Sequence, residues 1–134
     1  MKVLALDYGL ARTGVAVSDP TGTVARPLGV VERAADEAGL RRVVELARTE
    51  EAERIVVGLP LTLRGETGPQ AVETERFVAA LRAASDLPVD TFDERYTTRM
   101  AQESQAAGSA APEDALAAAH LLTTYLEWLS ARPT

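Results

Sequence analysis

The N-terminal segment "MKVLALDYG" limits the possible folds of this chain more than any other stretch. Residues 3–6 form a short apolar run that is typical of a buried strand. Asp7 then follows where the pattern predicts another apolar or neutral residue, and Gly9 comes soon after. A buried charge is costly unless it is paired, hydrogen-bonded or bound to a metal. We therefore expect Asp7 to have a partner that compensates its charge.

Length and composition predict one domain over residues 1–134, because the chain has 134 residues and is 46% hydrophobic. No apolar run reaches the roughly 18 residues that span a bilayer. Asp7 interrupts the N-terminal apolar stretch, so we expect no signal peptide. Cysteine is absent, which excludes disulfides and thiolate chemistry. These features predict a cytoplasmic protein.

The charge balance disfavours a general nucleic-acid binder, because 20 acidic residues face 14 basic ones and the net charge is −6. Lys2 is the single lysine among those basic residues, and the rest are arginine. Arginine binds phosphate in a bidentate manner, although genome composition also explains this preference. The positions of the arginines therefore matter more than their number.

The order of the predicted elements indicates an α/β fold. Turn residues and hydrophobic periodicity predict five strands, at 2–7, 15–19, 27–33, 54–60 and 88–94. They predict four helices, at 39–52, 69–85, 97–108 and 112–130. The segment "GLARTG" joins the first two strands as a hairpin. We expect a sheet in which an antiparallel edge is combined with parallel crossovers.

Ligand sites in α/β sheets lie at the carboxyl ends of the strands, and acidic residues of this chain occur at these ends. Asp7 ends the first strand, Asp93 and Glu94 end the fifth, and Asp114 lies in the first turn of the last helix. The small residues "ALAAA" after Asp114 allow that helix to approach the sheet. Oxygen ligands without His or Cys suit Mg²⁺ or Mn²⁺. Two such ions, about 3.5–4 Å apart, are a general device for hydrolysing phosphodiesters.

Each acid also has a structural explanation. Asp114 would interact favourably with the dipole of its helix. Asp93 and Glu94 would pair with Arg95 or Arg99 where the strand ends. Strand alternation does not decide which of Asp93 and Glu94 turns inward.

Four blocks, in order, carry a family resemblance. They are "LDYGLARTGVAVSD", "VVGLPLTLRGETG", "FDERYTTRMA" and "EDALAAAHLLTTYL". With these blocks the chain resembles the YqgF/RuvX family of the RNase H-like superfamily, small bacterial proteins described as pre-rRNA nucleases or Holliday-junction resolvase-like proteins. The resemblance implies an RNase H-like (RuvC-like) fold. This fold is a mixed five-stranded sheet with an antiparallel three-strand edge, flanked by helices on both faces.

The resemblance further implies a metal-dependent nuclease with Asp7, Glu94 and Asp114 as catalytic residues and as ligands of two Mg²⁺ or Mn²⁺ ions. Many RNase H-like nucleases carry an acid at the end of strand 4, where this chain has "VVGLPL". The second ligand is therefore expected on the "DER" segment, and we choose Glu94 over Asp93.

Further motif positions are expected to contact phosphate or to support the acids, namely Arg12, Arg95, Thr97 and Thr98. Arg64, in a glycine-flanked loop, is an additional candidate for contacting the nucleic-acid backbone. The resemblance implies the 5′ end of pre-16S rRNA as substrate, with branched or single-stranded DNA as the alternative. We expect no membrane partner, and a monomer or a homodimer.

Two other protein classes share parts of this pattern. Actin-like and sugar-kinase ATPases also open with a D-x-G strand–turn–strand, but they duplicate the fold, and no second such motif follows here. A nucleic-acid-binding module that retains the acids for structure is the other alternative. It predicts binding that is unaffected by loss of Asp7, and no cleavage.

Overall fold

The computed structural model of the protein describes residues 1–61, 64–65, 67–94 and 111–131. Its elements in chain order are β1 Val3–Asp7, β2 Arg12–Ser18, β3 Ala25–Glu32, α1 Glu37–Thr49, β4 Arg54–Leu59, α2 Pro69–Ala84, β5 Val89–Asp93 and α3 Glu113–Ala131. The helix predicted at 97–108 lies outside the described residues.

The five strands form one mixed sheet in the order β3-β2-β1-β4-β5. β1 pairs antiparallel with β2, and β2 pairs antiparallel with β3. β4 is parallel to both β1 and β5. The expected sheet with an antiparallel three-strand edge is confirmed.

Helices cover both faces of the sheet, as expected. Leu4 and Leu6 of β1 pack with α1 and α2 in one hydrophobic cluster that includes Val43 and Phe77. Val3 and Ala5 belong to a second cluster, which α3 closes from the other side. Successive residues of a strand point to opposite faces, and this alternation explains why a single strand contributes to both clusters.

Element boundaries differ most from the prediction at β2 and α1. β2 begins at Arg12 rather than at residue 15, because Arg12 and Thr13 already pair with Glu32 and Val31 of β3. α1 spans Glu37–Thr49 rather than 39–52, so it ends three residues before the predicted position. The other described elements begin and end within two residues of the predicted positions. Within the described residues, no helix combines the length and the apolar character needed to cross a membrane.

Candidate active site

Asp7 lies between two glycines at the carboxyl end of β1. In the antiparallel pairing its partner on β2 is Gly14. On the other side Leu6 pairs with Val57 of β4, so the same register places Gly58 beside Asp7. By alternation from Val3 and Ala5, Asp7 belongs to the face of the sheet that α3 covers. The neighbouring strands therefore leave open space around this carboxyl group.

Glu94 fills the space at Gly58. Phe92 packs under α3 and pairs with Gly58 in the parallel ladder. Glu94, two residues further, continues on the same face as Phe92. A Cβ atom on Gly58 would lie 2.5 Å from Oε1 and 2.8 Å from Cγ of Glu94. The glycine thus permits the Glu94 side chain to reach across β4 towards β1.

Asp7 and Glu94 are in direct contact through a hydrogen bond between their carboxyl groups. Burial raises the pKa of Glu94 to about 9, and the hydrogen bond to Asp7 and the charges of Asp7 and Asp93 add to this shift. A pKa in this range keeps the Glu94 carboxyl protonated at neutral pH. The partner expected for Asp7 is therefore a protonated carboxyl group.

Asp114 approaches the same site from α3. A Cβ atom on Gly14 would collide with the backbone carbonyl oxygen of Asp114, so the start of α3 rests directly on β2 beside Asp7. The Asp114 carboxylate forms an ion pair with Arg12, with 3.2 Å between Nε and Oδ2. The backbone of Asp114 therefore lies next to Gly14, the cross-strand neighbour of Asp7, while the Asp114 carboxylate is bound by Arg12.

The three predicted acids are thus arranged as a hydrogen-bonded pair, Asp7 and Glu94, and a third acid, Asp114, paired with arginine. Within the described part of the chain, no three acidic, His or Cys side chains are already grouped as a metal site would require.

The predicted phosphate-contacting residues are only partly within the described structure. Arg12 has about two-thirds of its side chain exposed beside Asp114. Arg64 is exposed next to Gly65, which has a positive φ of 79°. Arg95, Thr97 and Thr98 lie outside the described residues.

A cavity of about 380 Å³ opens beside Glu94 on the α2 side of the strand ends. Apart from Glu94, the residues that line it were not predicted from the sequence as site residues. Tyr8, which directly follows Asp7, is one of them, and its ring stacks on Phe77 of α2 at 4.5 Å between centroids. Alternation from Asp7 would have placed Tyr8 on the opposite face at the same strand end, so a signal for this wall of the cavity was present in the sequence.

Comparison with known proteins gives consistent results over nearly the whole chain. The profile of the family described as "RuvX: Holliday junction resolvase" matches residues 1–128. A protein of Chloroflexus aurantiacus named "Putative pre-16S rRNA nuclease" is 39% identical, over 98% of this chain and 90% of that protein. One of Rubrobacter xylanophilus with the same name is 44% identical, over 94% of this chain and 92% of that protein.

Two solved structures share the fold. One is T. thermophilus RuvC in complex with Holliday junction substrate, with a TM-score of 0.64 and 22% identity, covering 100% of this chain and 99% of that chain. The other is the Fowlpox virus resolvase with Holliday junction DNA, with a TM-score of 0.59 and 12% identity, covering 96% and 99%. At these identities the likeness concerns the fold, and it agrees with the RNase H-like architecture expected from the sequence.

Proposed function

The chain belongs to the RuvX family and is a nuclease, and from this premise we propose that it hydrolyses phosphodiester bonds at the Asp7–Glu94 pair with the help of two Mg²⁺ or Mn²⁺ ions. The observation that carries the proposal is the hydrogen bond between these two carboxyl groups, with the pKa of Glu94 raised to about 9. A proton held between two acids in a partly buried site marks a place where positive charge is favourable.

The donor set fits a divalent cation. Asp7 and Glu94 offer only oxygen atoms, the ligands that Mg²⁺ and Mn²⁺ prefer. A cation that replaces the shared proton allows both carboxyl groups to be ionised without mutual repulsion. Asp114 is the third ligand in this proposal, and it must exchange its ion pair with Arg12 for the cation. Phosphate binding would favour that exchange, because it offers Arg12 another anion.

Ions bound at such a site activate water and stabilise the leaving oxygen of a phosphodiester. The protein's own residues hold the substrate in position. Arg12, at the rim of the site, donates to a phosphate oxygen, and Arg64 contacts the backbone further from the scissile bond. Arg95, Thr97 and Thr98 have the same role by their place in the family motif, although they lie outside the described residues.

The proposed substrate is the 5′ end of pre-16S rRNA. The named relatives at 39–44% identity support this assignment through the substrate in their names. A second candidate is the four-way DNA junction, which the description of the family and the RuvC complex favour. Backbone contacts by arginine suit both polymers.

The decisive experiment compares cleavage of three labelled substrates: a pre-16S 5′ leader RNA, a single-stranded DNA of the same length and a four-way DNA junction. Each is incubated with purified protein with and without Mn²⁺. We expect metal-dependent cleavage of the RNA, and a loss of at least about 100-fold in Asp7→Asn. Asp86→Asn is the matched control, because Asp86 is exposed and precedes β5, away from the carboxyl ends of the strands; it should cleave like the wild type.

Equal activity of Asp7→Asn and wild type would assign the cleavage to another site. Preferential cleavage of the junction would replace the RNA assignment with the DNA alternative. Binding without cleavage in every metal condition would favour a binding module.

A further inference from the structure

The cavity beside Glu94 has largely apolar walls. Leu10, Pro60 and Pro69 line it together with Tyr8. The Tyr8 ring is fixed in place, because it stacks on the buried side chain of Phe77 with only 15° between the ring planes. A volume of about 380 Å³ lies within the range of small-molecule sites, about 300–1,000 Å³. Such walls suit a flat, largely apolar group.

The polar groups of the cavity disfavour phosphate. Glu73 of α2 and Glu94 both line it, as does the amide of Gln70. Glu73 is also paired with Arg76 on the outer side of α2, at 3.4 Å. None of the described residues that line the cavity is Lys or Arg. The Glu73 carboxylate accepts hydrogen bonds and repels anions, so the cavity suits an uncharged ligand that carries N–H donors.

These two properties together describe a nucleobase, which is flat on its faces and has hydrogen-bond donors on its edge. We propose that the cavity holds the base of a nucleotide adjacent to the cleaved bond, in contact with the Tyr8 ring and with the Gln70 and Glu73 side chains at its edge. This inference rests on the proposed nuclease function and adds a base subsite to it. In this proposal the sugar–phosphate backbone stays outside the cavity and is contacted by Arg12 and Arg64.

The cavity lies next to the proposed site of hydrolysis. Tyr8 directly follows Asp7, the last residue of β1, and Glu94 both contacts Asp7 and lines the cavity. The site of hydrolysis and the base subsite therefore share the wall formed by Glu94. A nucleotide whose phosphate lies at Asp7 can place its own base, or the next one, in the cavity. Bases with exposed amino groups are expected to bind better than uracil or thymine.

The test uses substrates in which one base at a time is removed. An abasic nucleotide is walked along the oligonucleotide that the wild type cleaves, and kcat/KM is measured for each position. We expect one position within two nucleotides of the cut at which base removal lowers kcat/KM about 10-fold or more. Tyr8→Leu should lower kcat/KM for the intact substrate by a similar factor. The variant should then cleave intact and abasic substrates with the same kcat/KM.

Two further variants separate base recognition from folding. Tyr8→Phe keeps the ring and should remain as sensitive to base removal as the wild type. Trp128→Leu removes an exposed aromatic ring elsewhere on the protein and should also leave that sensitivity unchanged. The abasic series with wild-type protein alone tests the inference if Tyr8→Leu does not fold.

A binding measurement makes the outcome independent of cleavage. The fluorescent base 2-aminopurine, walked along the same oligonucleotide, should be quenched at one position by wild-type protein and not by Tyr8→Leu. Cleavage that is insensitive to base removal at every position would overturn the base subsite and leave the nuclease function intact. Quenching at one position without any cleavage would overturn the proposed function and leave the base subsite intact. Neither quenching nor cleavage would overturn both.

Discussion

The carboxyl groups of Asp7 and Glu94 are hydrogen-bonded to each other across β4, over the space that Gly58 leaves open. Three strands position this contact. β1 ends with Asp7, Glu94 follows β5, and β4 between them has Gly58, which has no side chain to block the contact. Many RNase H-like nucleases carry an acid at the end of strand 4, and here the carboxyl group of Glu94 occupies the space beside this position. The contact makes specific predictions about pH, metal and the two glycines around Asp7.

Metal-free protein should lose stability as the pH rises through the range in which Glu94 titrates. The pKa of Glu94 is raised from 4.5 to about 9 in the folded state. Between these values the folded protein binds more protons than the unfolded chain, so the free energy of unfolding falls with increasing pH. Thermal unfolding in EDTA should give a higher Tm at pH 5.5 than at pH 8.5. Glu94→Gln should remove this difference, whereas Glu75→Gln, an exposed acid on α2, should retain it.

Divalent cations should reverse this loss in the wild type. In the proposed site a cation would replace the shared proton, so Mn²⁺ should raise the Tm at pH 8 in the wild type and have little effect on Glu94→Gln. The same Tm in EDTA and in Mn²⁺ for the wild-type protein at pH 8 would argue against a metal site at this pair.

A methyl group at Gly58 should inactivate the enzyme without unfolding it. The Cβ of Gly58→Ala would lie 2.5 Å from Oε1 of Glu94, and a flexible side chain can move away from such a contact. We expect a loss of cleavage of about 10-fold or more with a modest change in Tm. Gly29→Ala is the matched control, because a Cβ at Gly29 of β3 meets nothing within 4 Å. Full activity of Gly58→Ala would show that the position of Glu94 is not critical.

The sequence predicts the Asp7–Glu94 contact only in part. That both acids lie at one edge of the sheet follows from the parallel direction of β1, β4 and β5. The choice between Asp93 and Glu94 depends on which face α3 covers, and strand periodicity carries no information about this. In the structure Phe92 packs under α3, and Glu94 shares its face.

The ion pair between Asp114 and Arg12 was not predicted from the sequence. The small residues after Asp114 indicate close packing of the last helix, and the structure places the Asp114 backbone against Gly14. The direction of a carboxylate in the first turn of a helix depends on how closely the helix packs on the sheet and on where the nearest cationic side chain lies. Sequence spacing encodes neither of these, so the third acid was expected with the other two rather than with Arg12.

A methyl group at Gly14 should have the opposite consequence to one at Gly58. Its Cβ would collide with the backbone carbonyl of Asp114, and backbone at the start of α3 cannot rotate away. Overpacking of this kind costs about 1–3 kcal/mol, or more where backbone must shift. Gly14→Ala should therefore lower the free energy of unfolding by at least that amount in urea titrations. A stability equal to that of Gly29→Ala would contradict the close packing of α3 on β2.

Loss of Arg12 should affect substrate binding and leave stability nearly unchanged. The Arg12–Asp114 pair is exposed, with two-thirds of the Arg12 side chain in solvent, and such pairs contribute about 0–1 kcal/mol. Arg12→Ala should raise KM and reduce by about 1 the slope of log affinity against log salt. Arg48→Ala is the matched control, since Arg48 is an exposed arginine paired with Glu45 on α1. The same salt slope in both variants would argue against a phosphate contact by Arg12.

Removing the hydroxyl group of Tyr125 should weaken the fold and spare the activity. This hydroxyl donates to Asp90 Oδ2 at 2.7 Å and accepts from Arg54 at 3.3 Å, and the same Asp90 oxygen pairs with Arg54 at 3.0 Å. Arg54 begins β4 at the end opposite Gly58. Tyr125→Phe leaves a partly buried ion pair with two hydrogen bonds fewer, which costs about 1–2 kcal/mol and roughly 4–7 °C in Tm. If kcat/KM of Tyr125→Phe fell in parallel with its stability, at a temperature where the variant is folded, the network would be coupled to the active site.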